Sequence, residues 1–211
     1  MTPPAAGHRI VILCEGDTEV IAVKNFLGPQ LDRDGLKSVG LQPINLKAKF
    51  GDISIKTVGS TKDARVVAVF TLIDLYGLGG PPYPKAASVA QKHSIARDWL
   101  QGQVPLLDAG FFHPHFAVHD IEAWLLAEGT ALSSRLQHKL KPEPKAESID
   151  FDQPPSKRVN TLFLQHRKHA YRKKLDAPTL FKQVSFEAVY TTCPYFKVFY
   201  DDLANVARGI S

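Results

Sequence analysis

The chain has few cysteines and no long apolar run, and both shortages exclude classes of protein. It contains two cysteines, Cys14 and Cys193, too few for the disulfide framework of a small secreted domain. No apolar run approaches the ~20 residues that cross a bilayer. The opening residues, MTPPAAGHRI, lack the charged and apolar regions of a secretory leader. We therefore expect a cytoplasmic protein that does not contact membranes.

Charge is distributed unevenly along the sequence. The formal net charge is +5, but residues 135–182 carry 12 lysines and arginines against 5 acidic residues. A basic segment of this kind suits a polyanion such as DNA or RNA. A solvated helix face would carry the same charges, so composition alone leaves both interpretations open.

Apolar runs alternate with helical patterns through the first two thirds of the chain. The run RVVAVFTLI at 65–73 is almost continuously apolar, which is typical of a strand covered on both faces of a sheet. The alternation predicts an α/β fold, a mostly parallel sheet with flanking helices. The predicted strands are 10–14, 41–46, 65–73 and 116–118, and the predicted helices follow Asp17 or Thr18 up to Gly28-Pro29, lie within 50–64, and cover 86–101 and 121–127.

The composition changes after Leu140. The stretch KPEPKAESIDFDQPPSK is rich in proline and charge, which predicts an exposed loop or linker. The following KRVNTLFLQHRKHAYRKKL predicts a basic helix, and more helix is expected after Cys193-Pro194. The sequence therefore divides into an α/β core, 1–140, and a linker with a C-terminal helical extension that packs on the core, 141–211.

Acidic residues follow the predicted core strands. Glu15 follows the first strand, Asp74 the long apolar strand, and Asp120 with Glu122 the strand at 116–118. Ligand sites in open α/β sheets form where the carboxyl ends of the strands meet. Carboxylates gathered there repel one another unless a cation joins them, and Mg²⁺ or Mn²⁺ suits hard oxygen ligands. Glu19 could reach the same cavity and supply a second ion, as in two-metal phosphodiester hydrolysis.

Some of these residues have simpler interpretations. Glu19 lies near a helix N-terminus, where the helix dipole stabilises a carboxylate, and Asp120 could cap the helix at 121–127. His113 and His115 could suggest zinc, but a packed or solvated role fits better because no cysteine lies nearby. The loop GLGGPPYP lacks the Lys-Ser/Thr pair of a P-loop.

The motifs together resemble a known group of proteins. CEGDTE, LIDLYGLG, HDIEAWLLA, PPSKR, APTLFKQV and CPYF, in this order between Arg9 and Phe199, resemble a bacterial family of uncharacterised Toprim-like proteins. That family is related to the Toprim domains of overcoming-lysogenisation-defect nucleases. Each motif alone is weak, and the assignment depends on their order and spacing.

The resemblance implies roles for individual residues. Glu15 would be the invariant Toprim glutamate, Glu19 the second glutamate, and Asp74 the first acid of the Asp-x-Asp motif. Asp120 and Glu122 would be the later acidic pair, and Lys157 or Arg158 would offset charge on the phosphate. Tyr76 stands where the motif has its second acid. The site could therefore hold one metal weakly, recruit Asp120 instead, or be inactive.

The function that follows is metal-dependent phosphodiester hydrolysis. We expect catalytic residues Glu15, Asp74, Glu122, Lys157 and Arg158, and metal ligands Glu15, Glu19, Asp74, Asp120 and Glu122. Nucleic acid would bind Arg167, Lys168, Arg172, Lys173 and Lys174, with aromatic residues such as Phe163 and Tyr171 stacking on bases or packing inward. The resemblance also implies an ABC-type ATPase partner in defence against phage. The alternatives are a non-catalytic module that binds nucleic acid or the ATPase, and hydrolysis of a small phosphorylated molecule.

Overall fold

The computed structural model describes residues 7–104, 110–148 and 153–210. Within these ranges the strands form one sheet in the order β2-β1-β3-β4, and β5 also pairs with β3. Every pairing is parallel, so the expected mostly parallel sheet is confirmed. The strands are β1 (His8–Cys14), β2 (Val39–Asn45), β3 (Val66–Asp74), β4 (Phe112–His113) and β5 (Phe116–Ala117).

Helices cover both faces of this sheet. They are α1 (Asp17–Ala22), α2 (Gly28–Arg33), α3 (Asp52–Ser60), α4 (Val89–Gln103), α5 (Ala123–Glu128), α6 (Thr130–Leu136), α7 (Pro155–Arg167), α8 (Lys173–Gln183), α9 (Phe186–Thr192) and α10 (Pro194–Arg208). None of the helices in the described ranges is both long enough and apolar enough to cross a membrane.

Alternate residues of β1 enter two different apolar layers. Ile10 and Ile12 pack in the larger layer, which also contains α1, α5 and the C-terminal helices. Val11 and Leu13 face the opposite layer, which contains α4. Period-two alternation with apolar residues on both faces is what a strand buried between two helical layers requires.

The C-terminal helices are part of the main core. Phe196, Phe199 and Leu203 of α10 are each at most 1% exposed and lie in the same apolar cluster as Ile10 of β1. The ring of Phe196 also meets the Trp124 ring edge-on, with 4.6 Å between their centroids. Side chains from both sides of residue 140 thus fill one core. The division of the chain at that residue stays a prediction.

The first helix does not stop at Gly28-Pro29, and this prediction was wrong. The helical path continues from α1 through a π turn, Val23–Leu27, directly into α2. In that turn the Gly28 N–H donates to the Val23 carbonyl, five residues earlier. Pro29 is the second residue of α2, so the helix continues through the Gly28-Pro29 pair directly after the π turn.

The predicted basic helix is also interrupted. Helix α7 ends at Arg167, Lys168 adopts a left-handed backbone with φ of 57°, and α8 begins at Lys173. The backbone N–H of Tyr171 donates to Asn160 Oδ1 at 2.9 Å, which holds the intervening turn against α7. The break redirects the chain, so that the lysines after it lie beside α1 and not along α7.

The predicted linker is more ordered than expected where it can be described. A 3₁₀ turn covers Ala146–Ser148, and the side chains of Ala146 and Glu147 are buried. Glu147 accepts hydrogen bonds from the first turn of α10, at the N–H groups of Tyr195 (2.8 Å) and Phe196 (3.2 Å). Residues 149–152 of the predicted linker lie outside the described residues.

Candidate metal centre

Glu15 lies between the end of β3 and the loop that follows it. Its Oε2 accepts a hydrogen bond from the backbone N–H of Asp74 at 2.8 Å. On the other side, a Cβ atom at Gly77 would come 2.9 and 3.0 Å from the two carboxylate oxygens. Burial, together with the charges of Asp74, Glu19 and Asp120, raises the pKa of Glu15 to about 7. The carboxylate is thus held in place where a negative charge is unfavourable without a cation.

Asp74 ends β3 beside Glu15. Its Oδ1 accepts from the backbone N–H of Tyr76 at 2.9 Å, the local turn that aspartate commonly forms. Burial and then the charge of Asp120 raise the pKa of Asp74. The Tyr76 ring stacks on His119, with 5.0 Å between centroids, and Lys92 Nζ lies 5.4 Å from its centroid. Tyr76 therefore belongs to an aromatic pair beside the carboxylates.

Glu19 caps the helix in which it lies and is close to the other acids. Its Oε2 accepts from the Gly16 N–H at 3.0 Å and so caps the start of α1. Burial raises the pKa of Glu19, and the charge of Asp74 raises it further. Glu19 is consequently a capping residue that also lies within the electrostatic range of the other acids.

Asp120 connects the site to a different helix from the one expected. Its Oδ2 accepts from the backbone N–H of Ser156 at 3.0 Å, in the first turn of α7. Its own carbonyl accepts from Ala123 at the start of α5. The side chain therefore ties α7 to the sheet edge and does not cap the helix that follows it.

Glu122 is the most unusual member of the cluster. It is 1% exposed, and neither carboxylate oxygen accepts a hydrogen bond from any described residue. The Lys173 ammonium lies 3.5 Å from Oε1, an ion-pair distance. Burial raises the pKa of Glu122 to about 7, with Asp120 and Glu19 adding to the rise and Lys173 opposing it. A buried carboxylate without hydrogen bonds is costly, and here the charge of Lys173 offsets part of that cost.

A second polar group without a partner lies close to Glu122. The Tyr171 hydroxyl is buried and has no hydrogen bond within the described residues. Burial raises its pKa, and the charge of Glu122 is the next cause. Buried polar atoms in native proteins are nearly always paired, so two neighbouring exceptions are informative.

Lys173 is the cation of this cluster, a role that the sequence analysis did not assign to it. It begins α8, and it feels the charges of Glu122, Asp120 and Glu19, which raise its pKa despite the opposing effect of burial. Sequence analysis placed it among the residues that bind nucleic acid. No sequence signal marks its true position, which depends on the break before α8 and on the packing of α8 against α1.

The other predicted basic residues lie outside the carboxylate cluster. Arg158 pairs with Glu143 at 3.2 Å, Lys174 with Asp17 at 2.9 Å, and Arg172 with the buried Asp176 at 3.5 Å. Lys157 and Lys168 are exposed, and Arg167 is half-buried. One electrostatic cluster thus contains five predicted acids and one predicted basic residue: Glu15, Glu19, Asp74, Asp120, Glu122 and Lys173. The remaining predicted basic residues form ion pairs outside this cluster or face solvent: Lys157, Arg158, Arg167, Lys168, Arg172 and Lys174.

The carboxylates suit a divalent cation by their chemistry, although the described side chains are not arranged around one. Among the described residues, no group of three or more Asp, Glu, His or Cys side chains is close enough to hold a metal ion. The donors are all carboxylates, which Mg²⁺ and Mn²⁺ prefer. The raised pKa values of Glu15 and Glu122 follow from burial first and then from the charges of the neighbouring acids.

The histidines favoured by a zinc interpretation are packed elsewhere. His113 Nδ1 and His115 Nε2 both contact Asp202 Oδ2 of α10, at 2.9 and 2.8 Å. Their rings stack on Phe70 of β3, with centroids 4.3 and 5.6 Å away. The two histidines therefore attach α10 to the sheet, as the packed interpretation predicts.

Comparison with known proteins gives a family and a fold. The sequence matches the family described as "Domain of unknown function (DUF4276)" over residues 14–204. The C-terminal region of the Burkholderia pseudomallei OLD protein is 15% identical with a TM-score of 0.51, covering 97% of this chain and 99% of that chain. The C-terminal region of the Xanthomonas campestris pv. campestris OLD protein is 16% identical with a TM-score of 0.46, covering 97% and 98%. No curated protein sequence matches the chain.

At such low identity the first of these structures supports an argument about the fold alone. Its likeness extends over nearly the whole of both chains. The Toprim-like α/β fold expected from the sequence motifs is confirmed.

Proposed function

The chain belongs to the family described as domain of unknown function DUF4276, and for this member we propose divalent-metal-dependent hydrolysis of nucleic-acid phosphodiesters. The observation that carries the proposal is Glu122, which is buried among other acids, accepts no hydrogen bond from a described residue, and is offset in part by the Lys173 ammonium at 3.5 Å. A buried charge of this kind is retained where a cation completes it.

Glu15, Asp74 and Glu122 would hold Mg²⁺ or Mn²⁺, with Glu19 and Asp120 at the margins of the same site. When bound, the ion would supply an activated water and stabilise charge on the phosphate oxygens. The hydrogen bond from the Asp74 N–H to Glu15 fixes the orientation of that carboxylate before any ligand arrives. Preformed geometry of this kind lowers the reorganisation that a reaction requires.

Basic residues around the carboxylates would receive the substrate. Lys173 is half exposed and lies within the cluster, so it is better placed than Lys157 or Arg158 to offset charge developing on a phosphate. Arg167, Lys168, Arg172 and Lys174 would neutralise phosphates further along the strand of DNA or RNA. Arg172 and Lys174 keep side-chain exposures of 54% and 78% in their ion pairs, so both can still meet solvent and ligand.

The biological setting is proposed from the resemblance of the motifs. Defence against phage in the bacterial cytoplasm, together with a separate ABC-type ATPase, fits a Toprim-like chain whose sequence contains no P-loop. Any dependence on ATP would then come from the partner protein.

A non-catalytic binding module is the second candidate, and Tyr76 is the observation that favours it. The tyrosine replaces an acid of the Asp-x-Asp motif, and its ring is paired with His119. A phenol is a poor ligand for Mg²⁺, so the same scaffold could bind nucleic acid or an ATPase without cutting.

Cleavage of labelled single- and double-stranded DNA and RNA distinguishes the two candidates. The wild type and Glu15→Ala are compared with Mg²⁺, with Mn²⁺ and with a chelator. Metal-dependent cutting that disappears in Glu15→Ala supports the nuclease. Binding without cutting, also in the presence of a candidate ATPase, supports the binding module, and cutting that survives the substitution places the reaction at another site.

A further inference from the structure

Glu122 and Lys173 form an ion pair with very unequal exposure. Glu122 is 1% exposed, whereas the Lys173 side chain is 51% exposed, and 3.5 Å separates Nζ from Oε1. This distance is longer than a good charge-assisted hydrogen bond. The lysine therefore offsets the buried charge without satisfying the hydrogen-bonding capacity of the carboxylate.

The backbone of Lys173 is anchored, whereas its side chain is half exposed. The N–H of the preceding residue, Arg172, donates to Asp176 Oδ2 at 2.9 Å, and Asp176 is 0% exposed and also pairs with Arg135 at 2.7 Å. These bonds hold the first turn of α8 in place. The Lys173 side chain extends from this anchor over a flexible stem, and its ammonium can reach either Glu122 or water.

We propose that the Lys173 ammonium acts as an internal counter-ion which competes with a divalent cation for Glu122. This inference rests on the proposed metal site. An ammonium and a divalent ion beside the same buried carboxylate repel each other, because charges interact strongly in a medium of low dielectric. A divalent ion bound to Glu122 therefore drives the Lys173 ammonium away from that carboxylate.

The competition would make the site selective. A monovalent ion gains too little from Glu122 to replace an ammonium that is already tethered beside it. A divalent ion gains more from each carboxylate, and Glu15 and Glu122 both lie within range of the charges of Glu19 and Asp120. Lys173 thus keeps the acidic cluster partly neutralised until Mg²⁺ or Mn²⁺ arrives.

Titration with Mn²⁺ alone, followed by calorimetry, tests this inference on the purified full chain. Lys173→Met removes the competitor, and its Mn²⁺ affinity should rise by at least about threefold. Lys174→Met is the matched control, because it removes the neighbouring charge, which pairs with the half-exposed Asp17 and not with Glu122. Its Mn²⁺ affinity should stay within about twofold of wild type.

The outcomes separate this inference from the proposed function. Equal or weaker Mn²⁺ binding by Lys173→Met, with binding intact in the wild type, overturns the competition and leaves the metal site standing. An equal rise in both variants also overturns it, because general charge would then explain the effect. If neither the wild type nor Lys173→Met binds Mn²⁺, the proposed metal site fails and this inference fails with it.

A second measurement covers the case in which Lys173→Met does not fold well. Lys173→Gln removes the charge but keeps a polar side chain of similar length. The thermal shift caused by saturating Mn²⁺ should be larger for Lys173→Gln than for wild type, because the metal no longer has to displace a lysine. An equal or smaller shift contradicts the inference.

Discussion

At the scale of single residues, Gly77 decides where the Glu15 carboxylate can lie. The space that a side chain would need at position 77 is filled by the two oxygens of Glu15. Glycine is therefore required there for a close approach, since its backbone does not lie in the left-handed region. The neighbouring Gly79 faces open space, which provides a control two residues away.

Gly77→Ala should disable the site while preserving the fold. The added methyl group would displace the Glu15 carboxylate, and a misplacement of about 1 Å can cost about 100-fold in rate. We expect a comparable loss of metal-dependent cleavage, together with weaker Mn²⁺ binding and a thermal midpoint close to that of wild type. Gly79→Ala should match wild type in all three measurements. Full activity in Gly77→Ala would mean that the position of Glu15 is unimportant.

Glu147 provides a prediction about pH at a position away from the proposed metal site. Burial raises its pKa to about 7, although the N–H groups of Tyr195 and Phe196 lower it in part. The unfolded chain releases this proton near pH 4.5, so the folded state binds more protons between the two values. The contribution of Glu147 to the free energy of unfolding is therefore present at low pH and lost as the pH rises towards 7.

Urea unfolding of wild type and Glu147→Gln at pH 5 and pH 8 measures this effect. Relative to the variant, wild type should be less stable at pH 8 than at pH 5, by about 2 kcal/mol. Titrating groups that both proteins share cancel in this difference. A difference that is constant across the two pH values would show that Glu147 keeps its ordinary pKa in the fold.

At the scale of elements, α8 depends on one buried acid for its position. Asp176 is 0% exposed, accepts from Arg135 at 2.7 Å, and accepts from the Arg172 N–H at 2.9 Å. Removing it would leave an arginine and a helix N-terminal N–H without partners. The helix that supplies Lys173 to the carboxylates would then lose its anchor.

Asp176→Ala should lower the free energy of unfolding by about 3 kcal/mol, because breaking a buried pair leaves its partner uncompensated. Asp17→Ala is the control, since it removes the exposed pair with Lys174 and should cost less than about 1 kcal/mol. Urea unfolding at pH 7 measures both. Equal losses in the two variants would contradict an anchoring role for Asp176.

The elements also show which predictions the sequence can support. The strand predicted at 65–73 closely matches β3, Val66–Asp74. A nearly continuous apolar run of this length is typical of a strand that is buried on both faces. The two-residue strand β4 was missed, since Phe112–His113 is too short for any periodicity. The π turn through Val23–Leu27 was also missed, because Gly28-Pro29 is a common signal for the end of a helix. Here the helix continues, and Val23, Phe26 and Leu27 are buried in the core.

The site shows the same limit. Acids that directly follow apolar strands could be placed at one edge, because parallel strands end together. Lys173 could not be placed, because its position depends on a left-handed backbone at Lys168 and on contacts between α8 and α1. Neither is encoded in a local pattern, since lysine rarely adopts that backbone.

At the scale of the whole molecule, the proposed nucleic-acid surface consists of Arg167, Lys168, Arg172 and Lys174. It predicts how the affinity for nucleic acid depends on salt. Each phosphate contact releases counter-ions, so affinity should fall steeply as salt increases. The double variant Arg167→Ala/Lys168→Ala should reduce the slope of log affinity against log salt by about 1 to 2, measured by fluorescence anisotropy with a labelled oligonucleotide.

Lys37→Ala/Lys62→Ala is the control for this experiment. Both lysines are exposed and precede β2 and β3 respectively, so they lie at the opposite edge of the sheet from the carboxylates. This variant loses the same charge and should keep the wild-type slope. A slope that falls equally in both double variants would indicate attraction by net charge and not a defined surface.

The order of the elements along the chain also determines when the acidic cluster can assemble. Glu15 leaves the ribosome before Lys173 and before the α10 residues that fill the core. Parallel pairings and core contacts between distant residues form slowly, because closing a long loop costs conformational entropy before the stabilising contacts form. A nascent or prematurely terminated product that lacks α8 and α10 thus carries the acids without the scaffold that assembles them. The acidic cluster therefore assembles only after α8 and α10 have been synthesised.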